Sequence, residues 1–288
     1  MAERVAIVTG GLRGLGQAMA LGLAEAGHRV LAAGHIAGDE APMRAAAAAR
    51  GVPAGRLLPM VADIRDPAAC DALIATAREQ LGGLDILVNN AGLTFTYISP
   101  DKFRRPTPQP FWECTDGMVQ AVMDTNFVAA DRLARRAVPH MLAQGWGRIV
   151  NVTTKLDTMN RAGSSPYGPS KAALEMATEI WAKELAGSGV TANVVNPGTG
   201  ANTPGMAEEA RAASREGRMP RLLEPEQMVP PLLFVVSEAA DAVNGFRFDA
   251  NRWETGLPAA EAARRCARPA GFVLHEPAAW APARAEPC

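Results

Sequence analysis

Short β-branched runs alternate with longer Ala- and Leu-rich segments along almost the whole chain. VAIVT is followed by LGQAMALGLAEAG, RVLAA by an Ala-rich stretch through Arg50, and LLPMVAD by a segment of helical period from about Pro67 to Leu81. DILVNN then precedes a long helical segment that runs into Asn126 and beyond. RIVNVTT precedes ALEMATEIWAKELA, VTANVVNP follows, and PPLLFVVS and GFRFDA close the series. A strand that reads as one apolar run is buried on both faces, and strands separated by helix-length segments pair in parallel through crossovers. The alternation therefore predicts an α/β fold, a doubly wound parallel sheet with helices on both faces. At 288 residues the chain can bury one large core as a single domain. The main compositional shift comes after about Trp253, where Ala, Pro and Arg dominate, so the expected domain is 1–253 with a weakly structured C-terminal extension at 254–288.

Composition removes several function classes. The formal net charge is −1 and the basic residues are scattered, which gives no electrostatic reason to expect nucleic acid or an anionic membrane as partner. Cys70, Cys114, Cys266 and Cys288 form no C-x-x-C pair, and the four histidines are not at metal-ligand spacing, so reduced thiols and no metal are expected. The opening MAERVAIVTGG is too short for a signal peptide or a bilayer span, and a soluble cytoplasmic protein is the expectation.

VAIVTGGLRGLG puts Gly10, Gly14 and Gly16 between a strand and a helix that starts near Leu15. Glycine allows the tight turn and lets backbone N–H groups and the helix N-terminus approach a pyrophosphate. A plain strand-to-helix turn uses the same glycines, so the loop gains weight only from later motifs. At the end of the second strand, where NAD-binding folds place an acid on the ribose hydroxyls, stands Gly34, followed by His35, while Arg13 sits in the glycine loop. A missing carboxylate and a nearby guanidinium favour a 2′-phosphate, hence NADP, with NAD possible. Asp39 or Glu40 folding back as the missing acid, with Arg13 as a solvated loop charge, is the competing reading.

In SSPYGPSK, Tyr167 precedes Lys171 by four positions, one helical turn on the same face. A phenol titrates near pKa 10 and needs nearby positive charge to work as a base at neutral pH, which a lysine can supply; an exposed Tyr and Lys on an ordinary helix is the bland alternative. The pair is not alone. With TGGLRGLG (9–16), Asp63 after the third strand, NNAG (89–92), Asn126, YGPSK (167–171) and NPG (196–198), the chain resembles the short-chain dehydrogenase/reductase family from about Arg4 to Ala250.

The resemblance implies a Rossmann-type sheet of seven strands, reversible hydride transfer between NAD(P) and a ketone or secondary alcohol, and a homodimer or homotetramer built on the two long helices beside the active site. By motif position it implies that Tyr167 is the acid/base, that Lys171 binds the nicotinamide ribose and lowers the tyrosine's pKa, and that Asn126 holds a water in the proton relay. The cofactor would lie along Thr9, Gly10, Arg13, Gly14, Leu15 and Gly16, with His35 at the adenosine ribose and Asp63 and Ile64 at the adenine. Asn89, Ala91 and Gly92 would line the path from adenine to ribose, and Pro197 and Gly198 through Thr203 would meet the carboxamide. Asn89 and Asn90 are also good turn residues, and Asp63 can cap the next segment.

The sequence departs from the family pattern in four places. Thr154 stands thirteen positions before Tyr167, where the family has its catalytic serine. The stretch at about 93–117 is longer than usual, Thr203 falls one position late, and the tail runs past the usual end of the fold. Alternation in RIVNVTT puts Val150, Val152 and Thr154 on one face and Ile149, Asn151 and Thr153 on the other, which makes Thr154 the expected assisting hydroxyl. Ser164 and Ser165 are its rivals, read as the turn and N-cap before the Tyr167 helix. The insertion emerges at the carboxyl edge of the sheet and is expected to form a substrate lid, ordered by its prolines and by Phe111 and Trp112. Lys102, Arg104 and Arg105, with Lys155 and Arg161, are either an electropositive rim that suits an anionic substrate or charges kept for solubility. Phe272, Val273 and Leu274 are expected to dock the tail on its own or a partner subunit. The expected function is an NADP(H)-dependent oxidoreductase acting on a small-molecule ketone or secondary alcohol; a catalytically weak cofactor-binding sensor or scaffold of the same fold is the alternative.

Overall fold

The computed structural model describes residues 2–102 and 104–272. The apolar runs become strands β1 (Val5–Thr9), β2 (Arg29–Gly34), β3 (Leu57–Val61), β4 (Ile86–Asn89), β5 (Gly147–Asn151), β6 (Val190–Asn196), β7 (Phe246–Asp249) and the short β8 (Arg268–Pro269). Between them lie helices α1 (Gly14–Glu25), α2 (Glu40–Ala49), α3 (Pro67–Gln80), α4 (Phe95–Ile98), α5 (Asp116–Met123), α6 (Ala129–Gln144), α7 (Leu156–Asn160), α8 (Tyr167–Glu184), α9 (Glu208–Arg215) and α10 (Val229–Val235), with α11 (Ala259–Cys266) before β8. The order across the sheet is β3-β2-β1-β4-β5-β6-β7-β8. All pairs are parallel except β7 with β8. This is a single-domain Rossmann-like α/β fold, and its strand order reverses between β1 and β4, which opens a crevice at the carboxyl ends of the strands.

Period-two alternation sorts each strand between two cores. Ala6, Val8, Val150 and Val152 pack with α1, α2, α10 and α11 on one face, while Val5, Ile7 and Ile149 pack with α3 and α6 on the other. Helix starts follow local chemistry: Asp66 caps α3 by accepting the Ala68 N–H at 2.9 Å with Pro67 in the first turn, and Thr115 caps α5 through the Met118 N–H.

The seven-strand expectation is corrected to eight, and the tail is not weakly structured up to Phe272. Helix α11 buries Ala262, Ala263 and Cys266, and β8 then pairs with β7. A charged cluster holds this return. Arg247, 1% exposed, lies 2.8 Å from Glu175 and 2.9 Å from Asp249; Glu175 accepts from the Thr153 hydroxyl at 2.7 Å, and Arg268 of β8 closes on Asp249. The Arg247 guanidinium also donates to the Thr154 carbonyl at 3.0 Å. The tail thus docks on its own subunit as far as Phe272; Val273 and Leu274 lie outside the described residues.

Candidate active site

The crevice at the reversal point is a cavity of about 850 Å³ whose wall is drawn from the glycine loop, the ends of β2 to β6, the 93–102 segment and the loop after β6. Among the residues singled out from sequence, Gly10, Arg13, Gly14, Leu15, Gly16, His35, Asp63, Ile64, Ala91, Gly92, Thr154, Tyr167, Lys171, Pro197 and Thr203 are on this wall. Thr9, Asn89, Asn126 and Gly198 are not, and each has a structural task instead.

The loop closes on itself with no room for side chains. A Cβ at Gly16 would lie 2.0 Å from the Gly10 carbonyl, and one at Gly10 would lie 2.9 Å from Ala91. Thr9, buried in β1, accepts the N–H groups of Asn90 and Ala91 at 3.0 and 3.1 Å, and the Asn90 amide donates to the Thr9 and Gly10 carbonyls. Of the two asparagines of the NNAG run, Asn90 rather than Asn89 is on the cavity wall, beside Ala91 and Gly92. Asn89 is turned into the sheet, where its amide donates to Asn151 at 2.9 Å, so its placement along the cofactor path is corrected. Gly198 adopts a positive φ of 71° against Asn251, and so shapes the loop from behind the wall.

At the ribose end, Gly34 offers no carboxylate, and a Cβ there would meet Leu12 at 2.9 Å. Arg13, the N-cap residue of α1, reaches Asp39 at 3.7 Å, so the two groups that argue for opposite cofactors face each other across this end of the cavity. Asp63 does two jobs at once: it lines the cavity and takes the Arg65 backbone N–H and guanidinium, which holds its carboxyl below the usual range. Asp63 lines the cavity and closes a turn onto Arg65, while the cap of the next segment, α3, is Asp66.

Tyr167 opens α8 and places its ring 4.9 Å from that of Phe95. Burial pushes its phenol pKa up, and a hydrogen bond with the Thr154 side chain pulls it down. Thr154 lies just past the end of β5 on the cavity wall, while Thr153 points away to Glu175, as the alternation predicts. Ser164 and Ser165 are not on the wall; Ser164 is buried, and Pro166 occupies the N-cap of α8 without a side-chain cap, so the N-cap expectation for the serines is corrected. Lys171 is one turn along. Burial brings its ammonium down to about 8, and it donates to the Val152 carbonyl at 2.8 Å.

Asn126 sits in a π-helical turn, Asp124–Val128, between α5 and α6. Its carbonyl oxygen accepts the Leu93 N–H at 2.7 Å and its amide donates to the Leu93 carbonyl and the Ser170 hydroxyl. The side chain thereby staples the chain after Gly92 to α8.

The insertion roofs one end of the cavity with Phe95, Thr96, Tyr97 and Lys102. Thr94 and Thr96 donate to the Gly205 carbonyl at 2.8 and 3.1 Å, which ties the roof to the loop carrying Met206. Phe111 and Trp112 stack edge to face at 5.3 Å but are 70% and 73% exposed, so they do not organise the roof as expected. Phe95, Met206, Met219 and Leu222 are wall residues that sequence reading missed; Phe95 opens the one-turn helix α4 and the others lie in irregular segments, too short or too irregular for a periodicity to mark them.

The short chain dehydrogenase profile matches residues 4–214. The chain belongs to the short-chain dehydrogenase/reductase family. The chain is 33% identical over 249 residues to 2-dehydro-3-deoxy-D-gluconate 5-dehydrogenase of Escherichia coli, covering 84% of this chain and 92% of that protein. It is 31% identical over 246 residues to a 3-oxoacyl-(acyl-carrier-protein) reductase of Vibrio cholerae, covering 84% and 93%. A variant of actinorhodin polyketide ketoreductase solved with NADPH superposes with a TM-score of 0.71 at 27% identity, over 84% of this chain and 93% of that one. A 3-ketoacyl-(acyl-carrier-protein) reductase from Brucella melitensis, complexed with NADH, shares the fold with a TM-score of 0.71 at 24% identity, over 86% and 96%. The family member described here is an NAD(P)-dependent oxidoreductase acting on CH–OH or C=O groups of small molecules, which displaces the scaffold reading. No helix among the described residues is long and apolar enough to cross a membrane.

Proposed function

We propose that this enzyme interconverts a ketone and a secondary alcohol with NADP(H), using Tyr167 as the acid/base. The observation that carries the reading is the convergence of the half-buried Tyr167 side chain and the Thr154 side chain on one wall of the cavity, with Lys171 one turn further along α8. The glycine cradle fits a pyrophosphate, because no atom but hydrogen fits at Gly10 and Gly16 and the N-terminus of α1 faces the gap. Arg13, Gly14 and Leu15 would hold the phosphates, and Lys171 with Pro197 and Thr203 the far end. When bound, the nicotinamide supplies or accepts the hydride.

In the reduction direction, the phenol, kept protonated by burial, donates its proton to the carbonyl oxygen. The Thr154 hydroxyl donates to the same substrate oxygen and so holds it beside the phenol. In oxidation, the alcohol's proton passes to the phenolate, which the Lys171 ammonium stabilises through the field it sets up beside the site. The test is a panel of ketones and secondary alcohols followed at the nicotinamide absorbance with NADPH and NADH in parallel. Thr154→Ala is expected to lower turnover by about 100-fold or more, while Thr154→Ser retains it, since serine keeps the hydroxyl and frees the volume of the methyl. Near-normal turnover in Thr154→Ala would return the role to another group.

Support for NADP is the empty ribose position at Gly34 together with Arg13 and His35 beside it. Arg13→Ala should weaken NADPH binding by about 1–3 kcal/mol and NADH binding far less, as read by fluorescence titration. Equal losses would assign the site to Asp39 and NAD. The 93–117 insertion is proposed as the substrate lid. A homodimer or homotetramer is proposed to form on α5, α6 and α8, whose outer faces expose Val119, Leu142 and Ile180; light scattering gives the state.

A further inference from the structure

Three cations stand at the roofed end of the cavity: Lys102, Lys155 and Arg161. Lys155 is neutralised by Asp157 at 2.7 Å. The neighbouring insertion arginines are also engaged, Arg104 with Glu209, and Arg105 with Glu113 at 2.7 Å and Asp101 at 3.9 Å. Lys102 and Arg161 form no ion pair among the described residues, and they feel each other's charge. The carboxylates on the cavity wall offer no relief. Asp39 and Asp63 follow β2 and β3, three and four positions across the sheet from β5. At about 4.8 Å per strand, those two strand ends are on the order of 15–20 Å from the end of β5.

Lys102 is placed rather than dangling. Its ammonium is 3.1 Å from the centroid of the Phe95 ring, and the same ring lies 4.9 Å from that of Tyr167. One aromatic ring therefore separates a fixed cation from the reacting phenol. Burial, with the Arg161 charge beside it, brings the Lys102 ammonium down to about 8, the condition of a cation that lacks an anion. Between Lys102 and the phenol stands the apolar Phe95 ring, and Met206 and Leu222 add apolar surface to the same cavity.

We propose that Lys102 and Arg161 form a carboxylate subsite, so that the preferred substrates are ketones or secondary alcohols carrying a carboxylate a few carbons from the reacting centre. An ammonium and a guanidinium together recognise a carboxylate by charge and by paired N–H donors. The subsite rests on the reading of Tyr167 as the reacting end, since that fixes which end of the substrate faces the cations.

The experiment compares each acid with its methyl ester, 4-acetylbenzoate with methyl 4-acetylbenzoate and levulinate with methyl levulinate, as the ratio of kcat/KM values. Wild type is expected to favour the acid by about tenfold or more. Lys102→Met and Arg161→Gln should each erase most of that preference, and Lys102→Arg should keep it. A wild-type preference for the ester, or a ratio that both neutral variants leave unchanged, overturns the subsite. If neither member of any pair is reduced, the oxidoreductase reading fails for these compounds, and the subsite is decided separately by calorimetry on cofactor-loaded protein. There 4-acetylbenzoate must bind wild type more tightly than Lys102→Met; equal binding, or none, overturns it.

Discussion

Replacing Tyr167 by phenylalanine is expected to lower turnover by roughly 100- to 10,000-fold, the range removed with a general acid/base. Cofactor affinity should hardly change. The substitution deletes one oxygen and leaves the ring, so the contact with Phe95 at 4.9 Å and the start of α8 persist. Lys171 keeps its bond to the Val152 carbonyl, because that bond does not pass through the phenol. Steady-state rates together with fluorescence titration of NADPH separate the two quantities. A Tyr167→Phe protein with near-parental turnover sinks the assignment, whereas loss of both turnover and cofactor binding points to a collapsed site.

Arg247→Met is expected to destabilise the fold by about 3–5 kcal/mol, because it strips the ion-pair partner from the buried Glu175 and one of two from Asp249 rather than breaking a surface pair. Glu175 is fully buried and Asp249 nearly so, and both face the guanidinium within 2.9 Å. Urea unfolding followed by circular dichroism measures the loss. The double variant Arg247→Met with Glu175→Gln should recover part of it, since the amide carries no charge to strand. A single-variant cost below about 1 kcal/mol, typical of an exposed pair, would show that solvent reaches the cluster. Because the same guanidinium holds the Thr154 carbonyl, a surviving Arg247→Met protein should also turn over more slowly.

Fold and site were legible to different depths. Strands such as β1 and β5 were readable because both of their faces are apolar, and Thr154 could be told from Thr153 by parity alone. The tail was not, because α11 is Ala-, Glu- and Arg-rich and β8 is only two residues long. The glycine loop and the Tyr167–Lys171 pair are local patterns, and they fell on the cavity wall. The partners that Asn89 and Asn126 take lie 62 and 33 positions away in the chain, which no local pattern records. The electropositive rim shows the same limit. Five cations looked alike in sequence, and only the arrival of Glu209, 105 residues from Arg104, and of the other acids distinguished the neutralised from the unpaired.

Among the described residues the sheet ends on both sides in a strand that contains a proline, Pro59 in β3 and Pro269 in β8. A margin of free N–H and C=O groups is a template onto which another chain can zip, and proline and extreme shortness are two ways of spoiling it. Here the β8 turn-back covers the flank of β7, and Pro59 interrupts the row of donors along β3. The protein is thereby guarded against strand-by-strand accretion into fibrils at either flank. Copies of this chain that associate are steered to their helical faces, where contact buries side chains and leaves the backbone ladder alone.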